Sequence, residues 1–432
     1  MMIANGTAVS STLIRVRGLL TNRNVMWLFV GQAISQIGEG LSKVALLWFV
    51  YDLTGSALKM TMIGILQTLP PLLFGPFAGV LVDRVSKRTA MIVIDTARAG
   101  LLTLIPTLYW MDRLTLPSLY LLVFATAMFS MAFGPALKAM EPLLVKPRQL
   151  TQINALDQST MTIGQLLGPA ISGMLIAGIG AQNVLYVNAG AFLLSVFCKV
   201  PIHVKETRRS TGRSSPLQAA LQDLMEGIRF ILYKHRLMLL LMAVASLFML
   251  GSTGFVYLLP VLAKDSLHAD SVELGWLWAS LSLGLLAVTL WMFSAPPEAL
   301  CGRLWLIAAA ALIGGVAVLG LTLMTSFVPI IGLIAAIGAS SGVVNPLVSA
   351  SLQERTPKNM LARVFSVFNI GTLVAAMVGM TACGWIADRM GPTASLVAIA
   401  AVSALAALLT AVLIPWCLRL RSREARGKAA KG

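Results

Sequence analysis

The chain has 432 residues, 57% of them hydrophobic and 12% charged, with a mean hydropathy of +0.84. So few charges cannot solvate the surface of a water-soluble globule, so that class is excluded and a lipid-facing surface is expected. The formal net charge of +16 would suit nucleic acid, but its placement along the chain assigns it to membrane topology instead.

A membrane span takes about 20 apolar residues. Such stretches fall at 25–52, 58–82, 90–111, 116–140, 151–178 and 182–201, then at 236–262, 272–294, 303–325, 327–353, 361–387 and 392–418. The pattern predicts an all-α membrane protein of twelve transmembrane helices in two six-helix bundles, 25–201 and 236–418. Residues 1–24, with Arg15, Arg17 and Arg23 but no apolar core or small-residue cleavage site, read as a cytoplasmic tail rather than a signal peptide. The linker 202–235 is basic, and Leu217, Leu221, Leu224 and Ile228 recur along it at helical spacing. An amphipathic helix on the membrane surface is expected there. Residues 419–432 form a second basic tail.

With the N-terminus inside, only Lys59, Arg113, Lys264 and Arg389 fall on the outer side, and Lys43 and Arg98 lie within spans. All other lysines and arginines lie inside, as the positive-inside rule requires, so both termini are placed in the cytoplasm of a bacterial inner membrane. Nucleic acid is not an expected partner. The four cysteines and three histidines are scattered, so neither a disulfide framework nor a metal site is expected. Pro135, Pro147, Gly168 and Gly173 have counterparts about 210 residues later in Pro346, Pro357, Gly379 and Gly384. Halves repeated in this way are what a rocking, alternating-access carrier is built from.

After the second span comes Gly79-Val-Leu-Val-Asp83-Arg84-Val-Ser-Lys87-Arg88. This loop resembles the signature of the major facilitator superfamily at every charged position. The resemblance implies the two-bundle fold and a cytoplasmic gate at Gly79, Asp83, Arg84, Lys87 and Arg88. A bland reading leaves Arg84, Lys87 and Arg88 as topology charges. The first span, with Gln32, Gln36, Gly38-Glu39, Lys43 and the following turn Leu53-Thr54-Gly55-Ser56, together with Arg98 in span 3, is similar to the drug:proton antiporter branch. That branch includes macrolide-efflux proteins and siderophore exporters.

The residues of span 1 point to the same place independently. Gln32, Gln36, Glu39 and Lys43 recur at i, i+4, i+7 and i+11, on one helix face. A polar stripe toward lipid would be costly, so it is expected to face the bundle interior or a water-filled cavity. Glu39, near mid-span, is the candidate proton site, with Lys43 one turn on as its modulator. The rival reading is a static Glu39–Lys43 pair that only fixes packing.

Asp95 and Arg98 form a second intramembrane charged set, assigned to structure or gating, with Asp157 either joining them or standing as a solvated helix-end acid. In span 5, Gly164, Gly168, Pro169 and Gly173 make a smooth packing face with a kink. Gln67, Gln165, Asn188, Tyr257, Asn345 and Asn369 join Gln32 and Gln36 as candidate cavity-lining groups, with interhelical hydrogen bonding the alternative for each.

Some features depart from the family pattern. Span 4 carries no interior arginine, only Lys138 near its end, and the second signature loop is degraded to Ser294-Ala-Pro-Pro-Glu298-Ala-Leu-Cys-Gly302-Arg303. An Asp388-Arg389-Met-Gly391 run follows span 11, and no acid lies deep within a span of the second half. Any proton coupling therefore rests on the first half.

The expected function is secondary export of a small amphipathic solute by proton antiport, with protons and lipids as partners, no cofactor, and a monomeric carrier. Siderophore, metal-complex or lysophospholipid transport on the same fold is one alternative, and a non-transporting scaffold or assembly factor is another. An enzyme is not expected, since no catalytic constellation can be assembled.

Overall fold

The computed structural model describes residues 21–204, 224–232, 236–294, 300–324, 326–358 and 360–429, and every regular element among them is helical. In the first half, α1 is Arg23–Thr54, α2 Ala57–Asp83, α3 Lys87–Trp110, α4 Leu116–Ser130, α5 Phe133–Leu144, α6 Leu150–Ile179 and α7 Ala181–Lys199. In the second, α8 is Arg236–Val261, α9 Ser271–Ser294, α10 Leu300–Leu321, α11 Phe327–Arg355, α12 Leu361–Met390 and α13 Pro392–Ala429.

Eleven helical stretches among the described residues are long and apolar enough to cross a membrane, with α4 and α5 forming one stretch interrupted at Met131 and Ala132. The twelfth expected span is α1. Its 32 residues reach about 48 Å, ample for a crossing, but Gln32, Gln36, Glu39 and Lys43 dilute its apolar character.

The chain separates into two compact units, Met1–Phe49 with Leu66–Leu217, and Val50–Ile65 with Gln218–Gly432. The adjoining ends of α1 and α2, which the sequence placed in the first bundle, thus group with the second unit. In the first unit one apolar cluster gathers Val25, Leu28, Met91, Ile94, Met140 and Ile153 from four helices. In the second, Leu241, Ile307, Val344, Leu347, Val364 and Leu413 form the corresponding cluster. There α8 packs on α12, α9 on α11, and α10 on α13.

The internal repeat has a physical counterpart in each unit. Gly168 of α6 lies against Gly40 of α1, and Gly379 of α12 lies against the Leu250 carbonyl of α8. Both helices then end on a glycine with positive φ, Gly180 at 83° and Gly391 at 87°. Their N–H groups close the last turn on Ile176 O at 2.9 Å and Ala387 O at 3.0 Å. Glycine alone takes that conformation without strain, so each half makes the same one-residue connection to its last helix.

Of the linker helix, residues 217–223 lie outside the described residues. Residues 224–232 are helical, with Ile231 buried in the apolar cluster of the second unit and Met225, Ile228 and Leu232 exposed. Glu226 pairs with Arg363 at the start of α12. The degraded loop at 295–299 and both distal tails also lie outside the described residues or their described side chains. Cys301 is disulfide-bonded, whereas Cys198 and Cys383 are free. This corrects the expectation of no disulfide, which rested on sequence spacing. Pairing depends on proximity in the fold, which spacing does not report.

Candidate functional site

One set of charged side chains in the first unit converges from three helices. α1 supplies Glu39, α3 supplies Asp95 and Arg98, and α7 supplies Lys199. Arg98 forms an ion pair with Glu39 through Nη2, while its Nη1 stands 3.8 Å from Asp95 Oδ1. Lys199 pairs with the other oxygen of Asp95 and donates to Ser195 Oγ at 2.8 Å. Asp95 is fully buried, Lys199 is 1% exposed and Arg98 3%. The Glu39 side chain, by contrast, is 41% exposed.

This is a row of alternating charge, Glu39–Arg98–Asp95–Lys199, with one accessible end. Two carboxylates balance two cations, which is the condition under which buried charges are tolerated. Aromatic faces support the cations. The Arg98 guanidinium lies 3.9 Å from the Phe192 ring centroid, and Lys199 Nζ 4.6 Å from that of Phe133. Both contacts are of cation–π type and strengthen where water is excluded.

Asp95 and Arg98 therefore stand beside Glu39, the candidate proton site. Asp157 does not join them. It accepts from Lys138 at 2.8 Å, and Lys138 also reaches Glu141 at 3.2 Å and Asn154 at 2.9 Å, forming a separate cluster between α5 and α6. Lys199 was missed as a site residue, because a lysine at a predicted span end reads as a topology charge. A signal was present: Asn188, Phe192, Ser195 and Lys199 repeat the i, i+4, i+7, i+11 spacing of the α1 stripe.

The remaining expected residues are dispersed. Gln32 is buried, with its Oε1 lacking a hydrogen-bond partner, and Asn188 is buried and donates to Ser42 Oγ of α1. Gln36 is half-buried beneath Gly164, whose added Cβ would come within 2.6 Å of it. Gly168 would meet Gly40 Cα at 2.6 Å, and Pro169 and Gly173 are buried on the same helix. Gln67 is half-buried and Gln165 exposed. In the second unit Tyr257 is buried beside Gly64, Asn345 is half-buried and Asn369 is exposed. A small void in that unit is lined instead by Ser252, Ser340, Ser341 and Ser403 beside Phe248 and Phe255.

Of the signature loop, the side chain of Asp83 and the surroundings of Gly79 lie outside what the structure describes. Arg84 is exposed. Lys87 donates to Val82 O at 2.9 Å, and Arg88 donates to the carbonyls of Lys199 and Val200, satisfying acceptors at the end of α7. Arg88 thus ties the loop to the helix that carries Lys199.

The second unit holds a polar cluster of its own. Asp388, at the end of α12, accepts from Ser56 Oγ at 2.5 Å and from the backbone N–H groups of Ala57 at 2.6 Å and Leu58 at 3.3 Å. A carboxylate thereby caps the N-terminus of α2, satisfying otherwise orphaned donors. Tyr51 donates to Asp265, and Lys264 pairs with Asp52. Replacing Asp388 with alanine should cost about 1 kcal/mol. The check is a lowered thermal unfolding midpoint of purified protein, largely restored by asparagine.

A family model described as transmembrane secretion effector matches residues 19–431. The chain belongs to this family, a branch of the major facilitator superfamily. It is a multi-pass membrane transporter of that type with efflux relatives. It is 27% identical over 424 residues to the multidrug efflux pump Tap of Mycolicibacterium fortuitum, covering 94% of this chain and 99% of that protein. It is 25% identical over 369 residues to macrolide efflux protein A of Streptococcus pyogenes, covering 84% and 89%. Among solved structures it resembles the nucleoside transporter NupG, with a TM-score of 0.73 at 12% identity, over 90% of this chain and 99% of that one. A bacterial homologue of the human lysosomal transporter Spinster gives 0.69 at 13%, over 92% and 97%. These structural likenesses carry the fold.

Proposed function

We propose that this transporter exports a small amphipathic compound from the cytoplasm across the bacterial inner membrane in exchange for protons, with Glu39 as the proton carrier. The observation that carries the reading is that Glu39 alone is accessible in an otherwise buried row of charges. Its carboxylate is paired with Arg98, so the pair sits at the accessible end of the row, where a proton carrier has to be reached. In this reading both termini are cytoplasmic and the protein acts as a monomer amid lipid. The basic loop of α2 and α3, with Arg84, Lys87 and Arg88, faces the cytoplasm as a gate.

The solute class follows from the polar groups available. The spans hold amides, hydroxyls and aromatic rings but no cluster of arginines to bind a polyanion. Large neutral or weakly basic amphipathic compounds suit such a lining, and macrolides and planar cationic dyes are the probes of choice, in keeping with the efflux relatives.

Energised inside-out vesicles carrying a pH-sensitive dye test the proposal. Erythromycin or ethidium should partly collapse the proton gradient with the wild type. With Glu39→Gln at matched expression the response should fall to that of vesicles lacking the protein. An unchanged response in Glu39→Gln would place the proton site elsewhere.

A further inference from the structure

The charge row contains two buried polar atoms without a hydrogen-bond partner, Arg98 Nε and Asp95 Oδ1. They belong to side chains that already approach each other, with Arg98 Nη1 and Asp95 Oδ1 3.8 Å apart. That separation is an ion-pair approach but too long for a hydrogen bond. Arg98 spends its best contact on Glu39, and Asp95 spends its other oxygen on Lys199. Arg98 thus keeps a buried, unsatisfied Nε, while its Nη1 stands just beyond hydrogen-bond reach of the unsatisfied Asp95 Oδ1. Leaving them so is costly unless the arrangement has a second use.

We propose that Asp95 is a second docking position for Arg98, occupied when Glu39 is neutral, and that Lys199 is the positioning residue that holds Asp95 ready for it. This deepens the proposed function, and it rests on Glu39 as the group that changes charge. A guanidinium presents five donors in a rigid fork, so it can exchange one carboxylate for another by a small side-chain motion without leaving the Phe192 face. Lys199 neutralises Asp95 while Arg98 is away. Without that lysine, Asp95 would hold Arg98 permanently, because a lone carboxylate buried at this depth has no other counter-charge. Arg88 donates to the backbone carbonyl of Lys199 itself, so the signature loop is linked to this position by a single residue. Lys43 lies one turn along α1 from Glu39.

The test is a pair of double-mutant cycles, read as thermal unfolding midpoints of the purified full chain in detergent, with glutamine at 39 standing for the neutral acid. In Glu39→Gln, Arg98 depends on Asp95 alone, so adding Asp95→Asn should lower the midpoint by about 3 °C or more beyond the sum of the single changes. Lys199→Gln should behave oppositely. It should cost less in Glu39→Gln than in wild type, because the released Arg98 takes over the neutralisation of Asp95. The second cycle keeps the proposal testable if Asp95→Asn fails to fold. Additive cycles, or cycles of the same sign, would overturn it, since a purely structural Asp95–Lys199 pair is indifferent to residue 39. Failure is distinguishable from failure of the carrier reading. Additive cycles with coupling lost in Glu39→Gln leave proton antiport standing without the second docking position. Non-additive cycles with coupling kept in Glu39→Gln support the docking switch and remove Glu39 as carrier.

Discussion

Replacing Arg98 with leucine is expected to abolish gradient-driven export and to lower the yield of folded protein sharply. Arg98 approaches both Glu39 and Asp95. Its removal leaves Asp95 sharing its charge with Lys199 alone and empties the face of Phe192. Removing one partner of a buried ion pair costs about 3–5 kcal/mol, a large share of the about 5–15 kcal/mol by which proteins are stable. Lysine at this position keeps the charge but loses the fork that serves two carboxylates, so Arg98→Lys should fold better yet transport poorly. Size-exclusion chromatography of the solubilised protein reads the first effect, and vesicle transport at matched protein reads the second. Normal export by Arg98→Leu would mean that the charge row is packing and nothing more.

The second large effect is steric. At Gly168 an added Cβ would stand 2.6 Å from Gly40 Cα and 2.9 Å from the Ile37 carbonyl oxygen. Backbone atoms cannot rotate out of the way as a side chain can. Gly168→Leu must therefore push α1 away from α6, and with it the helix that carries Glu39. Overpacking of this kind costs about 1–3 kcal/mol where neighbours can yield, and more is expected here because they cannot. Gly178→Leu on the same helix is the control, since nothing lies within 4 Å of its added Cβ. The two variants should differ clearly in unfolding midpoint. Equal midpoints would contradict the close approach of the two helices.

The fold was largely legible because a bilayer imposes length and apolarity on each helix. Segments such as 58–82 and 361–387 anticipate α2 and α12 to within a few residues of the observed ends. The interruption at Met131 and Ala132 was not legible, since Phe129–Gly134 carries no proline or charge and Ser130 alone does not mark a break. The α1 stripe was legible through its spacing. Its partners were harder to find. Periodicity places Glu39 on a face but does not say which helix meets that face, so the ion pair with Arg98 of α3 could not be read from it.

Lys199 was hidden by its position. The positive-inside rule explains any lysine at a span end, and so it removes the reason to look further. Asp388 was noticed as an oddity of span 11, but its role as a cap on α2 depends on helices more than three hundred residues apart in sequence. Pairings of that range are a property of the packed units, and a single sequence carries no direct record of them.

Proteoliposomes holding purified protein separate coupling from binding most directly, with radiolabelled erythromycin as the probe and wild type compared with Glu39→Gln. Two modes are measured, exchange of labelled for unlabelled compound without a gradient, and net uphill movement driven by an imposed pH gradient. The proton-carrier reading predicts that Glu39→Gln keeps exchange and loses uphill movement, while wild type performs both. Uphill movement by Glu39→Gln at the wild-type rate would contradict it.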